Sequence, residues 1–212
     1  MLKKSLLAAA ALGGSLAFAA QARADLIVIS VNGSEVTNGS GSANVSGQTF
    51  GNFTVTASAV GTPPLAQPRL TSSTLDVSAT GGGTLTITIT EQDVTSPLGV
   101  YNMLSGFSLT SISGGIGSVE EATYLNTSNG LYGGTLLSST TFTGTGGLNQ
   151  IAPTPLTTGT YSVLEVFTIT ATGLGSTAGG ISTADVPEPA SLLLLGTGLL
   201  GTGLVRRRRR SV

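Results

Sequence analysis

Cysteine, histidine and tryptophan are absent from this chain of 212 residues, and charged residues make up only 9% of it. Without cysteine there is no disulfide framework and no thiolate to bind a metal or attack a substrate. Without histidine the commonest general base and the commonest metal ligand are both missing. With no tryptophan and only four tyrosines, the chain is also poor in the aromatic platforms on which glycosidases seat a sugar ring. Positive charge is missing from one region in particular. Between Asp25 and Val186 the only base is Arg69, against the acids Asp25, Glu35, Asp76, Glu91, Asp93, Glu120, Glu121, Glu165 and Asp185. One base against nine acids gives that region a charge of −8, although the whole chain has a formal charge of only −1. Nucleic-acid binding rests on Lys and Arg contacts to phosphate, so no nucleic acid is expected as a partner. Self-repulsion favours a soluble, dispersed domain.

The other bases sit at the two ends. Lys3 and Lys4 precede an apolar run from Leu6 to Ala20, and Ala22-Arg23-Ala24 supplies a small-x-small cleavage site with Ala22 and Ala24 at its key positions. This is the pattern of a secretory signal peptide over residues 1–24, cut by signal peptidase. At the other end, Pro187 and Pro189 flank Glu188 and hold the backbone extended. Residues 190–205 carry no charge, and sixteen residues at about 1.5 Å each reach about 24 Å, close to the thickness of a hydrocarbon core. Arg206, Arg207, Arg208, Arg209 and Arg210 follow. By the positive-inside rule they keep that end in the cytoplasm.

Together the Pro187-Glu188-Pro189 peptide, the Gly/Leu run from Leu192 to Leu204 and the arginine tail resemble the PEP-CTERM sorting signal, a segment also named the ice-binding protein C-terminal domain. The resemblance implies recognition by an exosortase, a membrane-embedded processing enzyme, with the tail removed during export from a Gram-negative cell. It implies a route and says nothing of what the passenger does.

The passenger reads as all-β. No helical period occurs between residues 25 and 172; short apolar or alternating runs are separated by Gly, Pro, Asn and Ser. Strands are expected at Leu26 to Val31, Phe53 to Ala59, Thr74 to Ala79, Thr84 to Thr90, Ser105 to Ile112, Val119 to Asn126, Thr135 to Phe142 and Tyr161 to Thr172. They suit a single antiparallel β-sandwich-like domain of about eight strands. The Thr80 to Gly83 run between two alternating segments predicts a hairpin. Residues 173–185, rich in Gly, Ser, Thr and Ala, predict a flexible stalk leading to a sorting signal at 186–212.

Candidate functional residues are few. Thr84, Thr86, Thr88 and Thr90 share one strand face, as do Thr168, Thr170 and Thr172, and a flat threonine ladder is a candidate surface for ice or polysaccharide. Threonine also simply suits the solvent face of a strand opposite Leu85, Ile87 and Ile89. Glu91 with Asp93 and Glu120 with Glu121 are near-pairs that could hold Ca²⁺ or serve a glycosidase, but they read as solvated turn acids. Glu165 falls in phase with buried positions, and a bulge near Val163 and Leu164 is expected to turn it outward. Five sequons, at Asn32, Asn38, Asn44, Asn52 and Asn126, lie mostly in an expected loop region. No metal or cofactor is expected.

The sequence is therefore read as an exported, non-catalytic protein of the cell surface or extracellular matrix, held transiently in the membrane and associated with exopolysaccharide or biofilm. The alternative is a module that binds polysaccharide or ice through the threonine face. A hydrolase is the third reading.

Overall fold

The computed structural model describes residues 25–61 and 70–186. The signal peptide, its cleavage residues Ala22 and Ala24, the sorting residues Pro187, Glu188, Pro189 and Arg206 to Arg210, and the apolar run 190–205 lie outside the described residues. Among the described residues no helix is long and apolar enough to cross a membrane.

Among the described residues there are ten strands: β1 Leu26–Val31, β2 Ser34–Ser40, β3 Ser42–Phe50, β4 Phe53–Gly61, β5 Leu70–Ala79, β6 Gly83–Val94, β7 Asn102–Asn126, β8 Thr135–Phe142, β9 Gly146–Pro153 and β10 Tyr161–Val186. All pairings are antiparallel. The β1–β2 hairpin turns at Asn32 and Gly33, whose φ values of 52° and 77° are those of the tight turn that matches strand twist.

β7 and β10 pair along almost their whole lengths and form the spine. The first part of β10 pairs with β6 and its second part with β5, while on the far edge of β7 the order is β9 and then β8. One half of the sheet therefore runs β2-β1-β6-β10-β7-β8, and the other runs β3-β4-β5-β10-β7-β9. The halves fold onto each other. Ile27, Ile29, Leu85, Ile87 and Ile89 of the first share one buried cluster with Val55, Ala57, Leu75, Val77 and Ile181 of the second. Each fully buried aliphatic side chain contributes about 1.5–3 kcal/mol, so this shared core is the main force closing the fold.

Glycines make the fold line possible. The β7–β10 register slips between Ala171 and Gly175. There the strands touch backbone to backbone: a Cβ placed on Gly115 would lie 2.6 Å from the backbone of Gly173. No other residue type fits such an approach.

Four sequence expectations are corrected here. Thr80 to Gly83 is not a hairpin, because β5 and β6 lie end to end along one edge of β10. Alternation on both sides of a glycine run looks the same whether a strand reverses or turns a corner, and here β10 decides. Residues 173–185 are not a stalk but the second half of β10, hydrogen-bonded to β5 and β7 on either side. Their linker-like composition reflects a crowded central position, where small residues fit. Ten strands replace about eight: two expected strands merge into β7, while β2, β3 and β9 went unrecognised because their residues are polar and lie largely exposed at the sheet edges. The expected loop region holding most of the sequons is the β1–β2–β3–β4 arrangement, with Asn38 and Asn44 in strands.

Candidate functional surfaces and a buried acidic layer

The outer face of the second half carries a groove of about 680 Å³. Strand alternation sets its floor: outward positions of β10 and β7 are Ala178, Gly180 and Gly106, so backbone lies where side chains would stand. Its walls are polar, with Thr74 and Asp76 on β5 and Asn149 on β9. The fit is close, since a Cβ on Gly106 would lie 3.0 Å from the Ser182 carbonyl oxygen and 3.1 Å from Asn149 Oδ1. Ser108 and Thr110 line the same trough, and Thr110 Oγ1 donates to the Ala178 carbonyl at 3.1 Å. An exposed carboxylate, an amide and several hydroxyls beside accessible backbone form a surface suited to hydrogen-bonding a hydroxyl-rich ligand. The sequence reading missed this groove because half of its floor lies in the segment taken for a stalk.

The threonine ladder stands on the outer face of the other half, where it is only partly open. Thr84 is exposed and Thr86 half-buried, while Thr88 and Thr90 are buried. The connection from β7 to β8 lies across them: Thr90 Oγ1 donates to the Leu131 carbonyl at 3.0 Å, Ser162 Oγ to Gly130 at 2.6 Å, and the Tyr132 hydroxyl reaches Ser30 Oγ at 3.1 Å. What remains is a patch of Thr84 and Thr86 with their cross-strand neighbours Thr170 and Thr168.

The carboxylates depart furthest from expectation. Glu91, Glu121 and Glu165 are each 0% exposed, so none is a solvated turn acid. Asp93 and Glu120 do face solvent, Asp93 at a φ of 64°. Each near-pair is thus split between inside and outside. A bulge does interrupt β10, between Tyr161 and Val163, but alternation resumes at Val163 and keeps Glu165 inward, opposite Ile89 and Thr123. Thr123 Oγ1 lies 2.9 Å from Glu121 Oε1 and 3.1 and 3.2 Å from the two Glu165 oxygens. Ser138 Oγ donates to Thr123 Oγ1 at 3.2 Å, and Ser105 Oγ hydrogen-bonds to it too. Burial first, and then the charge of Glu121, hold the Glu165 carboxyl well above the usual carboxylate range, so it is the protonated partner.

A second group lies where the two halves meet at their far ends. Burial, then the charges of Asp25 and Asp185, push Glu91 up to about 8. Burial raises Asp185 to about 7 and is the main cause raising Asp25 to about 6. Neither oxygen of Glu91 or of Asp185 has a hydrogen-bond partner. The described residues contain no Lys, Arg or His; Arg69 lies outside them. Among the described residues no three carboxylates converge as a metal site. Desolvation raises all three acids, and their burial keeps them out of reach of a solvent-borne substrate.

Comparison with known proteins bears mainly on the route. No curated protein matches the chain. Among solved structures, the enzymatically active domain of tailspike protein 4 from bacteriophage CBA120 is similar at 12% identity and a TM-score of 0.32 over 64% of this chain and 20% of that one. An arabinose-bound α-L-arabinofuranosidase is similar at 16% identity and a TM-score of 0.29, over 68% of this chain and 23% of that one. This chain thus spans under a quarter of either protein, and likenesses this weak carry no argument about fold or activity. Residues 185–210, by contrast, match the PEP-CTERM protein-sorting motif. That motif identifies the chain as an exported protein with a membrane-associated sorting signal, processed by an exosortase.

Proposed function

We propose that this is a non-catalytic protein of the cell surface or extracellular matrix, associated with exopolysaccharide through the groove on the outer face of β5, β10, β7 and β9. The groove's open, polar character carries the reading: Asp76, Asn149 and Thr110 offer the acceptors and donors that a sugar chain needs, along a trough floored by glycine. Without aromatic stacking a single contact is weak, and avidity would come from many copies along one polymer. A non-catalytic role is supported by the lack of His and Cys and by near-pairs that each keep one carboxylate inside and one outside. This leaves the hydrolase reading without a pair of facing, exposed carboxylates at either of its near-pairs. The patch of Thr84, Thr86, Thr168 and Thr170 keeps the threonine face as a second reading, with half of its ladder covered.

The test is a glycan-binding screen on residues 25–186, which contain every strand of the fold. Retention of an acidic or neutral polysaccharide, lost in the double variant Asp76→Ala/Asn149→Ala, is the expected result. Binding that survives that change but disappears with Thr84→Val/Thr86→Val moves the site to the threonine face. No retention of any glycan overturns both.

A further inference from the structure

The sorting motif does not begin beyond the fold. It begins within it. Its match starts at Asp185, while β10 runs on to Val186, with Asp185 opposite Met103 and Val186 opposite Asn102 of β7. Thr183, two residues earlier, is 1% exposed and ties the strand to β5 by donating its hydroxyl to the Leu70 carbonyl at 3.1 Å. A processing enzyme takes its substrate as an extended, unpaired peptide, because the backbone groups that bind in the cleft cannot also pair in a sheet. The first matched residues are paired in a sheet, and no spacer separates them from Pro187.

Asp185 lies beyond Ser182, the last residue of β10 in register with β5, so in the ladders its backbone is paired with β7. It is 6% exposed, and neither carboxyl oxygen has a hydrogen-bond partner. The titratable groups facing it are Glu91 from β6, the Tyr161 hydroxyl from β10 and the Tyr101 hydroxyl just before β7, with Asp25 beyond Glu91. None of these groups is a cation, and none donates a hydrogen bond to the carboxyl.

We propose that the folded domain gates its own exosortase processing: the end of β10, from Thr183 to Val186, must leave the sheet before the sorting motif can enter the enzyme, and the unpartnered carboxyl of Asp185 sets how readily it leaves. A neutral carboxyl stays in the dry site; an ionised one is driven towards water and takes the strand end with it. The group's position after burial, about 7 against 3.8 in an open chain, gives the sign. The strand end is held below about pH 4, opens progressively as pH rises towards 7, and changes little above that, by up to about tenfold per pH unit in between.

The experiment uses the full chain in an exosortase-positive host, following loss of the C-terminal tail by pulse-chase. Asp185→Asn, which cannot ionise, slows processing by at least about tenfold, the factor one pKa unit represents. A flexible Gly/Ser insertion between Val186 and Pro187 gives the motif its own spacer and restores fast processing, both in the parent and in Asp185→Asn. Hydrogen exchange on the purified full chain reads the gate directly. The ratio of parent to Asp185→Asn exchange at residues 184–186 rises between about pH 4 and 7, and it is flat when the gate is absent. Four results overturn the proposal: that flat exchange ratio; Asp185→Asn processed at the parental rate; Asp185→Asn processed faster, which means a cation holds the carboxylate in place; or Asp185→Asn still slow with the insertion present, which means the exosortase reads Asp185 itself.

Discussion

Glu165 on β10 and Thr123 on β7 stand directly opposite each other in the ladder, both fully buried, with the threonine hydroxyl 3.1 and 3.2 Å from the two carboxyl oxygens. Glu121 lies on the other side of the same hydroxyl, at 2.9 Å. The site therefore needs one carboxyl to carry a proton. Glu165→Gln supplies a donor of the same shape and should leave urea stability near neutral pH within about 1 kcal/mol of the parent. Glu165→Ala removes packing and leaves Glu121 without its neutral neighbour, and should cost about 2–4 kcal/mol. Equal losses in the two variants would mean that Glu165 is ionised in the fold.

Stability should fall as pH rises, the reverse of ordinary acid unfolding. Asp25, Asp185 and Glu91 move from open-chain values of 3.8, 3.8 and 4.5 to about 6, 7 and 8. An acid raised in the fold contributes stability that is fully present below its unfolded value and is lost as pH climbs through its folded value. The melting temperature should thus be highest near pH 4 and decline towards pH 8. Glu91→Gln should flatten the upper end of that window and leave the lower end to Asp25 and Asp185. A melting temperature that climbs from pH 4 to 8 would contradict the buried acidic layer.

The fold line should be far less tolerant of substitution than the hairpin turn. Gly115→Ala drives a methyl group against the backbone of Gly173 at 2.6 Å, where no flexible side chain can yield. Overpacking of that kind costs about 1–3 kcal/mol or more. Gly33→Ala meets no atom within 4 Å and suffers only the strain of its φ of 77°, about 1 kcal/mol. Chemical denaturation of the two variants compares them directly.

The two parts of the sorting signal should fail differently. Replacing Arg206 to Arg210 by Ser removes the charges that hold that end in the cytoplasm, and the protein should be mislocalised. Changing Pro187 and Pro189 to Ala lets helix run back into the recognition peptide, since Ala is about 3 kcal/mol better than Pro within a helix, and the protein should reach the membrane uncut. Intact mass separates the cases. A parental protein that keeps Arg206 to Arg210 in an exosortase-positive host would turn the signal into a plain anchor.

The sequence by itself determined the route and the class of fold. Pro187-Glu188-Pro189, the uncharged run and the five arginines are contiguous, so their order can be read without a structure, and the match at residues 185–210 agrees. Period-two alternation likewise located β4, β5 and β6, and a continuous apolar run located β1, because each strand's own residues show what it buries. Tertiary structure alone decided whatever depended on a neighbour. Thr80 to Gly83 turns a corner instead of reversing because β10 pairs with the strands on both sides of it. Gly173 to Asp185 is strand rather than stalk because β5 and β7 satisfy its backbone, which its composition could not announce. Thr88 and Thr90 are covered by a loop that lies about forty residues away in the chain. Glu165 is in phase with apolar residues of its own strand, yet phase alone makes a buried acid look like an error to be corrected by a bulge, and Glu91 and Glu121 look like solvated turn acids for the same want of a visible partner. Only the facing sheet shows that the acids have one another for company, and that desolvation raises the carboxyls of Glu91, Glu165 and Asp185 above the ordinary carboxylate range.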